Sequence, residues 1–537
     1  MQGLMMDFPL TLDKILERAG HLFGEVEIVS RRPDRSIYRA TYSHFYRRAR
    51  ALAEALQRAG LQRGDRVATL MWNHSSHLEA YFGIPASGGV LHTLNLRLHP
   101  SEIAYIANHA ADRFLIVDDV LLPIYEQLKS QTNFERVMVV PFTGNPPPGG
   151  YENYEDFLKT ATGNFTYPAL DENEAAAMCF TSGTTGNSKG VLYSHRALIL
   201  HSFVSTLDEA FGINHHAVVL PACPMFHANA WGIPFTATMA GAKLVLPGPH
   251  LDAESLLELI EREKVSIALG VPTVWIGILA ALEKHPGRWK FPSGLSAPCG
   301  GTAPPEGLIR SLDKHGIHIT HLWGMTETTP IASRGQLKST MADWNDDKKY
   351  EVRAKQGLPA PFIEMRVRND EGIVPWDGLT PGELEVRGPW VASAYYNSPE
   401  NQDRWTPDGW FKTGDIATLD PEGYLKLVDR SKDLIKSGGE WISSVDLENA
   451  LMGHPKVREA AVIAIPHSKW QERPLAVIVL NDGEAATSEE LRDFLATRFA
   501  KWQLPDGFAF AKEIPRTSVG KFLKMRLREQ YADWRWE

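Results

Sequence analysis

Residues 175–190 read Ala175-Ala176-Ala177-Met178-Cys179-Phe180 followed by Thr181-Ser182-Gly183-Thr184-Thr185-Gly186-Asn187-Ser188-Lys189-Gly190. The apolar run predicts a buried strand. The ten residues after it hold three glycines, one lysine and hydroxyl side chains at most other positions. Glycines allow a tight turn that brings backbone N–H groups close to an anion. The hydroxyls and Lys189 add donors and positive charge, which is the chemistry that holds nucleotide phosphates. The pattern is not the Walker loop: Lys189 follows Ser188 instead of a glycine, and Gly190 stands where a Ser or Thr belongs. In isolation a flexible Ser/Gly-rich loop is the competing reading, so the surroundings must decide.

Working outward, helix and strand patterns alternate on both sides. Leu12, Ile15, Leu16 and Ala19 form one apolar face after Thr11. Phe45, Ala49, Leu52 and Leu56 form another between Thr41 and Gly60. Strands are expected at 67–71, 114–117, 218–220, 243–246, 265–269 and 318–322, with helices at 101–110, 194–206 and after Asp252. This alternation predicts an α/β fold with largely parallel sheets. From about Gly357 short strands and turns predict a β-rich subdomain. Beyond the charged run Asp429-Arg430-Ser431-Lys432-Asp433, residues 444–452 and a helix capped by Ser488 alternate with strands at 462–465 and 476–480. The expected organisation is a large N-terminal domain (1–428), a hinge (429–432) and a small C-terminal α+β domain (433–537).

Composition narrows the function. The chain has 537 residues, more than one ordinary core accommodates. Charged residues are 23% and hydrophobic residues 43%, with a net charge of −9. That balance argues against a nucleic-acid-coating surface. Cys179, Cys223 and Cys299 have no metal-ligand spacing and suit a reducing cytoplasm. Charges at Asp7, Asp13, Lys14, Glu17 and Arg18 interrupt the first twenty residues, so no signal peptide is expected, and no apolar run suggests a membrane span.

Seven motifs occur in order: the loop at 181–190; Pro224-Met225-Phe226-His227; Trp323-Gly324-Met325-Thr326-Glu327; Thr413-Gly414-Asp415; Asp429-Arg430; Lys436-Ser437-Gly438-Gly439-Glu440; and Pro515-Arg516-Thr517-Ser518-Val519-Gly520-Lys521. Together they make the chain resemble, over nearly its whole length, the adenylate-forming superfamily of acyl-CoA synthetases, luciferases and peptide-synthetase adenylation domains. The segments 429–442 and 226–231 look most like medium/long-chain fatty acyl-CoA synthetases, whose near relatives include ligases of short methylthio-acids.

That resemblance implies an ATP-dependent ligase that makes an acyl-adenylate, releases pyrophosphate, and then transfers the acyl group to coenzyme A. A carboxylate attacking the α-phosphorus brings two anions together, so the site must supply fixed donors and positive charge. By resemblance, Thr181, Ser182, Gly183, Thr184, Thr185 and Lys189 cradle the β and γ phosphates, Thr326 contacts the α-phosphate, and Glu327 holds Mg²⁺. Asp415 and Arg430 serve the ribose or phosphate. Gly300, Gly301, Thr302, Ala303, Trp323 and Gly324 give the flat adenine and the acyl chain room. Lys521 neutralises the transferring groups. Lys432 is the expected hinge, and Lys436, Gly438 and Gly439 line the CoA path. His227 is expected to wall the acyl pocket and yield to CoA. Trp231 either gates that pocket or is simply core, and the role of Trp441 stays open. A cytoplasmic homodimer is expected, with acid, ATP and CoA as partners. A luciferase-like monooxygenase, a carrier-protein adenylating enzyme and an inactive nucleotide-binding module are the alternatives.

Overall fold

A computed structural model describes residues 1, 3–181, 188–292, 294–430, 433–437, 440–517 and 521–536. Among these residues, four β-sheets organise the chain. A seven-stranded sheet runs in the order Glu152–Asn153, Arg136–Val140, Asp112–Asp118, Arg66–Leu70, Val90–Thr93, Ala175–Phe180, Gly190–Ser194. It is parallel except for its last strand. A nine-stranded sheet carries a parallel centre from Ile317–Gly324 to Glu27–Arg31, with antiparallel strands at both edges. The expected α/β fold with largely parallel sheets is therefore present.

Helices cover these sheets because their apolar residues recur on one face. In Tyr42–Arg58, Phe45, Ala49, Leu52 and Leu56 are all buried, and Thr41 caps the start by accepting a hydrogen bond from the His44 amide. Each such leucine contributes on the order of 1.5–3 kcal/mol through burial. This helix packs tightly on Ser75–Ala86 at Gly83, where a Cβ would lie 2.8 Å from the Ala49 carbonyl oxygen. Thr11 occupies the N-cap position of Leu12–Leu22, but its side chain makes no capping bond.

The β-rich subdomain is an antiparallel five-stranded sheet that ends in Phe411–Leu419 and Leu425–Arg430. Asp429 and Arg430 are thus sheet residues, paired with Ile416 and Asp415. The last sheet is built from Glu440–Ile442, Ile435–Ser437, Gln471–Leu480, Val457–His467 and Gly507–Phe510. Two apolar clusters flank it. One holds Ile435, Leu447, Val462 and Leu491, and the other holds Ile463, Leu475, Ile514 and Leu527. Both draw only on residues after 434. The helix expected after Ser488 is capped by Thr487, whose hydroxyl accepts from the Glu490 amide, and Ser488 is its first residue. Two adjacent hydroxyl residues make that choice ambiguous in sequence.

Candidate active site

The loop that opened the sequence reading closes an antiparallel hairpin, with Phe180 opposite Gly190. A Walker loop leads into a helix; this one folds back onto its own strand. Its base is pinned by hydrogen bonds from the Thr181 amide to the Lys189 carbonyl (2.9 Å) and from the Lys189 amide to Thr181 Oγ1 (3.1 Å). Ser182, Gly183, Thr184 and Thr185 lie outside the described residues, as do Lys432, Gly438, Gly439 and the side chain of Trp441.

Lys189 Nζ lies 5.2 Å from the centre of the Tyr395 ring. The Tyr395 hydroxyl donates to Glu327 Oε1 at 2.5 Å, and Glu327 is buried. Burial and the Glu327 charge push the Tyr395 phenol up, so it stays protonated and remains a donor. The Glu327 segment is fixed further by the Tyr193 hydroxyl donating to the Thr326 carbonyl (2.7 Å) and the Ala392 amide donating to the Glu327 carbonyl (2.8 Å). Tyr395, Tyr193 and Ala392 carry no sequence motif. The bridge between Gly190 and Tyr396 brings the 390–396 segment beside the loop.

Beside this cluster a cleft of about 310 Å³ gathers Gly301, Thr302, Ala303, Trp323, Gly324, Asp415, Arg430 and Lys521. Its floor is Asp415, which is almost fully buried. Oδ2 of Asp415 accepts from Trp323 Nε1 at 3.0 Å, and Oδ1 pairs with Arg430 Nε at 3.1 Å. Asp415 raises the affinity of Arg430 for its proton, so the guanidinium is firmly charged. Gly301 has φ +90°, a backbone angle that glycine adopts freely. Gly324 is glycine for a different reason. A Cβ there would sit 1.7 Å from the Pro330 carbonyl oxygen, where the sheet turns back on itself.

Lys521 enters the cleft from the C-terminal lobe. The Thr517 amide donates to the Lys521 carbonyl (2.7 Å) and the Lys521 amide to Thr517 Oγ1 (3.1 Å), which holds the lysine at the end of a closed turn. Burial, reinforced by Arg430, pushes its ammonium down to about 8, against the opposing pull of Asp415 and Glu327. All three side chains are therefore within its electrostatic reach. Burial, with Lys521 and Arg97 nearby, lowers the His227 imidazole to about 4. His227 is thus neutral at ordinary pH, an uncharged wall and no source of positive charge.

His227 opens an unusual segment. Ala228, Asn229, Ala230 and Trp231 all have φ between 43° and 58°, followed by Gly232 at 74°. Each non-glycine residue in this left-handed turn costs about 1–2 kcal/mol. Asn229 is held by Cys179 Sγ at 3.2 Å, and the loop before it is clamped by Asn73, which donates to the Pro221 and Cys223 carbonyls and accepts from the Met225 amide. Trp231 is buried in the main core cluster, and a Cβ on Gly300 would lie 3.6 Å from its ring. Its core and acyl-side readings coincide in one place. Lys436 sits on the Ile435–Ser437 strand with its side chain exposed, apart from the residues that line the cleft. Among the described residues there is no group of three or more His, Cys, Asp or Glu side chains arranged to hold a metal ion.

The chain belongs to the AMP-binding enzymes. That family matches residues 17–396, and the AMP-binding enzyme C-terminal domain matches residues 446–521. The chain is 50% identical over 533 residues to a long-chain-fatty-acid–CoA ligase of Thermus thermophilus, covering 99% of this chain and 97% of that one. It is 43% identical to a medium-chain-fatty-acid–CoA ligase of Ectopseudomonas oleovorans and 42% identical to a 3-methylmercaptopropionyl-CoA ligase of Ruegeria lacuscaerulensis, each over 99% of this chain and 98% or more of the relative. Among solved structures it resembles the anthranilate CoA ligase AuaEII in complex with anthranoyl-AMP, with a TM-score of 0.87 at 25% identity over 98% of both chains.

Proposed function

We propose that the protein joins a medium- or long-chain fatty acid to coenzyme A, using ATP and releasing AMP and pyrophosphate. The observation that carries this is Lys521 of the C-terminal lobe lining one cleft together with Asp415 and Arg430. The names of the full-length relatives support the same reaction. In the first half-reaction, the fatty carboxylate attacks the α-phosphorus and pyrophosphate leaves. Lys521 and Arg430 offset the converging negative charge, and Lys189 with the 181–190 loop holds the departing phosphates. Asp415 has the acceptor oxygens a ribose diol needs. Glu327 suits Mg²⁺: it is a fixed carboxylate with Oε1 accepting from Tyr395, and its other oxygen could hold a hard cation, which would help neutralise phosphate charge.

In the second half-reaction the CoA thiolate attacks the acyl carbon and AMP leaves. Lys521 then stands in the way, so the lobe that carries it must move. We assign residues 1–428 to the fixed body, the turning point to 431–432 at the end of the 429–432 segment, and residues 433–537 to the moving lobe. The separate core clusters after residue 434 support this division. His227, Trp231, Gly300 and Gly324 then bound the acyl side, and Lys436 with Gly438 and Gly439 bounds the CoA path. The apolar residues Leu4, Met5, Met6 and Phe8 are strongly exposed, which supports a second copy covering them in a homodimer. Among the described residues no helix is long and apolar enough to cross a membrane; we place the enzyme in the cytoplasm.

The second reading, a short thioether acid as substrate, is favoured by the 42% identical 3-methylmercaptopropionyl-CoA ligase. A panel of C4 to C18 fatty acids and 3-methylthiopropionate, each with ATP, magnesium and CoA, decides between them by AMP release and acyl-CoA mass. The proposal predicts the highest kcat/KM between C8 and C18. A preference for the thioether acid establishes the second reading, and AMP release with no acid overturns both.

A further inference from the structure

Next to the cleft, four polar side chains, three of them buried, form a chain that crosses from one lobe to the other. Lys524 begins the Lys524–Gln530 helix, three residues after Lys521. Its Nζ pairs with Glu448 Oε1 at 2.7 Å and donates to Ser444 Oγ. The Ser444 hydroxyl and amide donate in turn to Asp429 Oδ2, at 2.5 and 2.8 Å. Asp429 Oδ1 accepts from the Arg430 amide at 2.8 Å. Asp429 is 4% exposed, Ser444 0% and Glu448 6%.

The members divide between the two bodies. Asp429 belongs to the five-stranded sheet, where it pairs with Ile416. Ser444 and Glu448 lie on the Ser444–Met452 helix, and Glu448 Oε1 also accepts from the Val462 amide at 2.7 Å inside the C-terminal sheet. A turn at 431–432 would leave Lys524–Glu448–Val462 intact and tear Ser444 from Asp429. A cation passing its charge through a hydroxyl onto a buried carboxylate makes short, strong bonds. The carboxylate also faces the first turn of a nine-residue helix, where negative charge is favoured. Among the described residues, other polar contacts here include Lys426–Asp446 at 3.1 Å, half-exposed and therefore weak, the Ser443 hydroxyl on the Val428 carbonyl, and the Asp433 and Leu434 amides on the Arg430 carbonyl at 2.8 and 2.9 Å beside the pivot.

We propose that Asp429 and Ser444 form the latch that holds the C-terminal lobe in its adenylate-forming pose, with Lys524 transmitting that hold to Lys521. Asp429 and Ser444 are positioning residues, since neither needs to touch the reacting atoms. The latch rests on the two-step ligase reading for its purpose, but its mechanical content can be tested without turnover.

The test measures the distance between lobes and, separately, the two half-reactions. Cys179, Cys223 and Cys299 are buried, so cysteines introduced at the exposed Asp347 and Asp482 take spin labels selectively. The latch predicts one narrow distance distribution for the otherwise unmodified full chain, and a longer, broader one for Asp429→Ala and Ser444→Ala. Adenylate formation should fall about tenfold in Asp429→Ala. Thioester formation from a supplied acyl-adenylate should hold steady or rise. Asp429→Asn, which still accepts from Ser444, should fall between. If Asp429→Ala does not fold, Ser444→Ala carries the same prediction. An unchanged distance distribution overturns the latch, as does an equal loss in both half-reactions. If no acid is activated even by the unmodified chain, the ligase reading fails while the distance measurement still decides the latch.

Discussion

The two sides of the cleft are built on opposite plans. On the large body the two carboxylates of the site are held by short bonds from their own surroundings. Asp415 is gripped by Trp323 and Arg430, and Glu327 by Tyr395, within the same set of sheets. On the other side Lys521 is bonded through its backbone to Thr517, with the Leu523 amide on the Pro515 carbonyl behind it, in a lobe with separate apolar cores. The fixed side is preorganised and loses little on binding. The delivered side carries a cation that burial has already weakened. Under the proposed two-step reaction, this difference would let a moving lobe bring positive charge to the transferring phosphate while the fixed side holds the nucleotide.

That contrast can be broken or sharpened by substitution. The largest effect is expected for Glu327→Gln, which removes the carboxylate charge beside the phosphates. Adenylate formation should fall about 10²–10³-fold, with a shifted magnesium titration of pyrophosphate release. An unchanged titration would remove Glu327 from the metal. Asp415→Ala deletes two charge-assisted bonds and should lower kcat/KM for ATP about 10–100-fold while sparing CoA transfer from a supplied adenylate. Next is pH. The Lys521 ammonium sits at about 8, below its ordinary value, so raising the pH through 8 strips its charge. Adenylate formation should decline above pH 8, approaching about tenfold per unit, and Lys521→Arg should lack that limb. His227 is neutral well above its value of about 4, so it should contribute no limb between pH 6 and 8. The smallest effect is expected for Tyr395→Phe, a loss of a few fold, because Glu327 keeps its backbone bonds.

The sequence displayed much of this, and particular residues show where it stopped. The strand before Thr181, the apolar faces at 45–56 and the change of character near Asp429 were legible because burial imposes a period on side chains. The hairpin closed by the 181–190 loop was not, since the direction in which a strand returns leaves no mark on its side-chain pattern. Gly324 looked like a site glycine, yet backbone proximity to Pro330 requires it. Tyr395 was invisible because its role depends on a partner 68 residues away in sequence. Asp429 was read as the start of a hinge and Arg430 as a ribose or phosphate contact, and the sequence did not show that Arg430 is balanced by Asp415 across the strand pair or that Asp429 is held by Ser444. The left-handed turn at 228–231 has no glycine until Gly232, so local propensity points away from it and tertiary packing imposes it.

The central claim is that one lysine serves the first chemical step and must leave for the second. It is tested most directly by measuring both half-reactions of Lys521→Ala, pyrophosphate release from acid and ATP, and acyl-CoA formation from a supplied acyl-adenylate. The account predicts that the first falls by at least about 10²-fold while the second keeps most of its rate. Equal loss of both steps, or retention of both, would contradict it.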